Sequence, residues 1–97
     1  MINFIPIYEN LIKLCTDEIE ANGTRSDVYE SYLKGRRNAY QKAVTLLKAG
    51  YTKKMLIEEI EFRIKMPDSA ITKADKAYSN GLKEAYESIL ISLKNYE

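Results

Sequence analysis

Few side chains in this sequence could do chemistry, and their types narrow the options at once. There is no histidine and a single cysteine, Cys15. Zinc sites, Ser–His or Cys–His pairs and imidazole acid–base schemes are therefore not expected. Carboxylates gather at Glu58, Glu59 and Glu61 and again at Glu84 and Glu87, but no Glu-x-x-His accompanies them as in di-iron bundles. The sequence carries no glycine-rich phosphate loop, no Gly-x-Ser-x-Gly elbow and no acidic ladder spaced for calcium. Carboxylates alone read as a solvated face. The expectation is a non-enzymatic protein with no cofactor and no metal.

Charge is more informative. The net charge of +1 hides a segment, Ser31–Lys54, that holds Lys34, Arg36, Arg37, Lys42, Lys48, Lys53 and Lys54 and no acid. Residues 1–30 carry six acids against two bases, and residues 55–75 five against three. On a helical wheel Lys34, Arg37, Asn38, Gln41, Lys42, Thr45 and Lys48 share one polar arc, a basic stripe about two nanometres long at 1.5 Å rise per residue. Three readings follow: a solvated face neutralised by Glu9, Asp17 and Glu20 of a neighbouring helix; a docking face for an acidic protein; or phosphate-backbone binding. The last draws on residues 46–56, LLKAGYTKKML, which have a helix-turn-helix cadence with glycine in the turn and threonine capping the second helix. Glu58, Glu59 and Glu61 on that second helix oppose it.

Arg36 intrudes on the apolar arc of its helix, between Tyr29, Tyr40 and Ala43. It should lie along tyrosine rings or pair with an acid, and Asp75, which intrudes on the fourth helix in the same way, is the expected partner. Cys15 sits mid-arc and reads as a small core hydrophobe. Met55, Phe62 and Met66 form a second apolar face opposite Leu56, Ile57, Ile60 and Ile64. Such a face either lies under another helix or meets a partner, including a second copy of the chain. The expected partner-binding residues are therefore Lys34, Arg36, Arg37, Gln41, Lys48, Lys53, Lys54, Met55, Phe62 and Met66.

The elements that must position these residues follow from repetition and punctuation. Tyr32–Lys48 laid over Tyr78–Lys94 gives six identities in seventeen columns, including a shared Tyr-x-x-Gly-x-x-x-Ala-Tyr. This predicts two pseudo-repeated helical hairpins closed into a compact four-helix bundle, since two units fall short of a stacked solenoid. Pro6 and Gly23 bound the first helix, Thr24 or Ser26 and Gly50 the second, Thr52 and Pro67 the third, and Asp68, Ser69 or Thr72 opens the fourth. The expected helices are about 6–22, 26–49, 53–66 and 70–95. Ile60–Met66 alternates apolar and charged residues like a strand, but its one candidate partner, Met1–Ile5, is short, and the helix is preferred. Gly35 and Gly81 fall mid-helix, each four residues before an alanine, which reads as a close helix crossing or, alternatively, as a bend or ligand groove, with the crossing preferred.

Composition bounds the rest. With 97 residues there is room for a single all-α domain spanning 1–97, and 45% apolar with 30% charged residues is a globular balance. No run is long enough to span a membrane, Met1–Asn10 lacks the basic lead of a secretory signal, and a lone cysteine suits a reducing cytoplasm. The reading is a small interaction protein, an inhibitor or regulator from an AT-rich bacterium, its phage or a mobile element. It binds a protein partner with an acidic surface, and the alternative is a helix-turn-helix-like regulator that grips nucleic acid through residues 34–54. Self-association into a homo-oligomer is a further expectation, and no membrane contact is.

Overall fold

Each helix starts where a side chain can satisfy its free amides. The computed structural model describes residues 3–23, 26–67 and 69–95, and four helices account for most of them. The Asn3 side chain accepts from the Ile5 amide (3.1 Å) and opens α1 (Phe4–Asn22). Ser26 accepts from the Tyr29 amide (3.1 Å) and opens α2 (Asp27–Lys48). Thr52 accepts from the Met55 amide (3.2 Å) and opens α3 (Lys53–Lys65). The fourth helix, α4 (Lys73–Asn95), begins three residues later than expected. There the Asp75 amide donates to Thr72 Oγ1 (3.0 Å) while the Thr72 amide donates to Asp75 Oδ2 (3.3 Å), a reciprocal box that Ser69 cannot form. The other expected openers, Thr24 and Asp68, lie outside the described residues, as do Tyr96, Met1 and Ile2.

The α2–α3 connection is a Schellman turn. Tyr51 donates its amide to the Leu46 carbonyl and Gly50 to that of Leu47, both at 3.1 Å, with Gly50 at φ 100°. It folds α3 back against the bundle. The strand-like alternation of residues 60–66 resolves as two faces of one helix: Leu56 and Ile60 are buried, Ile57 and Ile64 pack on the core, and Met66 turns extended ahead of Pro67. Among the described residues there is no strand.

Side-chain contacts set the directions of the helices. Lys48 pairs with Glu9 (3.3 Å) and Tyr8 hydrogen-bonds Ser92 (2.8 Å). The start of α1 therefore meets the last turns of both α2 and α4, and those two helices run parallel. Lys94 at the end of α4 pairs with Glu61 (3.1 Å), while Arg63 reaches back to Tyr86 and Met66 shares a cleft with Asp75 and Tyr78 near the start of α4, so α3, like α1, runs against the central pair. The result is a compact four-helix bundle in which α2 and α4 make the most intimate pair, α1 packs on α2 and α3 packs on α4.

Close approach defines the central pair. A Cβ on Gly35 would collide with the Tyr78 carbonyl and stand 3.0 Å from the Leu82 amide nitrogen. On Gly81 it would collide with the Tyr32 carbonyl, 3.2 Å from the Arg36 amide nitrogen. Ala39 and Ala85, one turn on, are fully buried, and beyond them Tyr40, Ile89 and Leu93 join Tyr8, Leu56 and Ile60 in one core. Two further contacts are reciprocal: Tyr32 donates to Glu84, and Asn38 donates to Tyr78. Outside the crossing the reciprocity lapses, for α1 has 19 residues and α3 has 13.

The apolar arcs are wider than the surface that covers them. At 100° per residue Ile7, Leu14, Val28 and Tyr29 fall on the core-facing apolar arcs of α1 and α2, yet they are 44–49% exposed, because among the described helices α1 packs mainly on α2.

The crossing yields a direct prediction. Alanine gains about 1 kcal/mol over glycine in helix propensity, yet at Gly35 its methyl has nowhere to go. Gly35→Ala and Gly81→Ala should each lower the unfolding free energy by about 1–3 kcal/mol, as overpacking does, and the double variant should cost less than the sum because both relieve one contact. Urea denaturation measures this; stabilisation by either change would contradict the crossing.

Candidate interaction surface

The polar arc of α2 is less open than its charge suggests. Lys34 pairs with Glu30 one turn back (3.3 Å) and Lys48 with Glu9 of α1 (3.3 Å). Arg37 is half-buried and donates weakly to Thr16 Oγ1 (3.5 Å). Asn38 is tied to Tyr78 and Lys42 is half-buried, while Gln41 and Thr45 are exposed; beyond the arc, on α3, Lys53 is half-buried and Lys54 exposed. Of the acids expected to answer this arc, Glu9 does so directly. Exposed pairs of this kind contribute about 0–1 kcal/mol each, so they shape the field of the surface more than its stability.

Arg36 is the best-held cation of the set. Its side chain is 27% exposed and donates to the hydroxyls of Tyr40 (3.1 Å) and Tyr32 (3.4 Å). The guanidinium carbon lies 5.8 Å from the Tyr32 ring centre and 5.9 Å from that of Tyr40, within cation–π reach. Its carboxylate partner is Glu84 (3.6 Å), which corrects the expected pairing with Asp75. Asp75 is exposed and committed to the cap of α4, because a carboxylate at the third position of a helix is worth more there than as an intruder on an apolar arc. Behind Arg36, Cys15 is buried; burial pushes its thiol up, against the opposing pull of Arg36. Its surroundings keep it protonated.

The outer side of α3 is different in kind. Met55, Phe62 and Met66 are 44, 65 and 50% exposed, and at 100° per residue Met55 and Phe62 share one narrow stripe. Glu59 and Arg63 form an i,i+4 pair (2.9 Å), and Glu61 is taken by Lys94. The two groups of expected binding residues thus occupy different surfaces: Lys34, Arg36, Arg37, Gln41 and Lys48 lie along α2, whereas Lys53, Lys54, Met55, Phe62 and Met66 belong to α3 and its ends.

Two features escaped the sequence reading. One is Glu84, whose role was signalled by its register: it holds in the second Tyr-x-x-Gly segment the position Asn38 holds in the first. The other is an open cleft between α3 and α4 that brings Arg63 to Tyr86 and Tyr78. Nothing in the spacing of Arg63 marked it, since its neighbours come from another helix. Among the described residues no cluster of three or more metal-ligating side chains occurs, and no helix is long and apolar enough to cross a membrane. Comparison with protein-family models, curated proteins and solved structures finds no match to this chain.

The tyrosines make stability fall at alkaline pH. Burial holds Tyr8 and Tyr86 above the ordinary phenol range, despite opposing hydrogen bonds from Ser92 and Arg63. Donation to Glu18 and to Glu84 holds Tyr29 and Tyr32 there. Their folded pKa values are raised, so above about pH 10 the unfolded chain binds fewer protons than the native one and stability declines. Urea midpoints should be flat from about pH 7 to 9 and drop beyond 10; a midpoint that rises across pH 10 would contradict the assignment.

Proposed function

We propose that the protein is a non-enzymatic interaction module that binds and modulates a protein partner. The observation that carries this reading is the stripe on α3, where Phe62 stands 65% exposed on a helix whose other side holds Leu56 and Ile60 at 0 and 1%. Large apolar side chains in a row on one outward face are what a partner can desolvate, and aromatic anchors of this type concentrate binding energy. Lys54 at the start of the helix favours an acidic rim on that partner, which speeds encounter more than it adds affinity. The role is that of an inhibitor or regulator, phage or mobile-element encoded, in a cytoplasmic setting that suits a single buried thiol. A second copy of the chain is a competing occupant of the same stripe.

One observation favours a second reading, in which residues 34–54 contact nucleic acid. The Gly50 turn followed by a threonine-capped helix has helix-turn-helix character. Against it stand Glu58, Glu59 and Glu61 on the helix that would enter the groove, and the intramolecular pairing of Lys34, Arg36 and Lys48.

Affinity capture from the source cell should recover a partner with the wild-type protein and lose it with Phe62→Glu, which leaves the buried side of α3 intact. Identical partner sets for the two baits would end the α3 reading. For nucleic acid, random duplex DNA titrated across a salt series should show no binding at low salt. A steep salt slope that Lys48→Ala, Lys53→Ala and Lys54→Ala flatten would instead favour the second reading.

A further inference from the structure

The two corners of the α2–α4 crossing are built differently, and the difference leaves a site. At one corner Arg36 fills the space between Tyr32 and Tyr40 and meets the carboxylate of Glu84. At the other corner the equivalent tyrosines are Tyr78 and Tyr86, the equivalent of Arg36 is Leu82, and the equivalent of Glu84 is the neutral Asn38. A shorter apolar side chain there leaves an open cleft of about 430 Å³, within the range of small-molecule sites.

A cation still reaches this corner, brought by α3. Arg63 lines the cleft, is 33% exposed and contacts the Tyr86 hydroxyl. Its Nε is enclosed and lies 2.9 Å from Glu59 without the alignment of a hydrogen bond, so one edge of the guanidinium fork is occupied. Lys83 adds a second positive side chain to the lining. Asp75, the carboxylate among the described lining residues, is turned to the Thr72 amide and the positive end of α4. The walls are apolar and partly aromatic: Leu82, Met66, Pro67 and Ala70 with the rings of Tyr78 and Tyr86.

We propose that this cleft binds a small aromatic carboxylate. The ring would lie on Leu82, Pro67 and the tyrosines, and the carboxylate would meet the part of the Arg63 guanidinium that Glu59 does not hold. Arginine favours a planar two-oxygen acceptor over other anions. The site is separate from the outward stripe of α3, sharing Met66 alone with it, and it does not depend on a protein partner.

Titration of isotopically labelled protein followed by amide chemical shifts tests it, with benzoate, acetate and benzylamine as probes. Benzoate should give saturable shifts at Arg63, Ser79, Leu82 and Tyr86, with affinity at least about tenfold above acetate, and benzylamine should give none. Arg63→Met and Ala70→Phe should each weaken benzoate about tenfold or more. The second puts a ring into the cleft without touching the charge, so it decides the matter if the first variant fails to fold. No saturation by benzoate, an equal response to benzylamine, or shifts confined to the lysines of α2 would overturn the proposal.

Discussion

The structure depends on one contact, the backbone of α2 laid directly on the backbone of α4. Gly35 faces the Tyr78 carbonyl and Gly81 faces the Tyr32 carbonyl with no room for a side chain at either place. Two mid-helix glycines cost about 2 kcal/mol in propensity. What offsets them is the burial this approach permits, because helices that touch at their backbones bring every flanking side chain into contact. Ala39 and Ala85 seal the next turn, with Tyr40 and Tyr86 buried beyond them and Tyr32 and Tyr78 half-buried beside the crossing. Parallel central helices then need antiparallel partners, and short connections supply α1 to one and α3 to the other.

From that contact follows the character of the surface. The side chains around the crossing are wide rings with a polar tip, so each corner needs something that is apolar along its length and charged at its end. Arg36 meets that need from within α2, pairing with Glu84 across the crossing. The opposite corner draws its cation from α3, and the fit there is looser. The same short α3, pressed on the core by Leu56 and Ile60, leaves Met55 and Phe62 exposed on its outer side. Tight packing at the centre and incomplete coverage at the edge are therefore two results of one geometry.

Much of this was legible in the residue pattern, and the parts that were not share a cause. Helix number, the Ser26 and Thr52 caps, the glycine turn at residue 50 and the crossing at Gly35 and Gly81 are local or paired signals. Each depends on a few residues and one steric rule. Three residues, Asp68, Ser69 and Thr72, can open α4, and the structure uses the last of them because Asp75 reaches back to it. The partner of Arg36 was misjudged because wheel position reports which face a residue is on and not which helix lies opposite. For the same reason Ile7 and Leu14 looked like core: periodicity shows that a face is apolar without showing how many neighbours cover it. The cleft beside Arg63 was invisible, since it is a volume left by Leu82 and shaped by three separate segments.

The parallel run of α2 and α4 through their glycines is most directly tested by distances between paired spin labels, placed by cysteine substitution in a Cys15→Ala background. Labels at Lys48 and Lys94 mark the ends of the two helices, and labels at Asp27 and Lys94 mark the start of one and the end of the other. A parallel pair makes the first distance much the shorter, with the second longer by something approaching the ~30 Å length of α2. The reverse order, with Asp27 close to Lys94 and Lys48 far from it, would contradict the crossing and with it the arrangement of both corners.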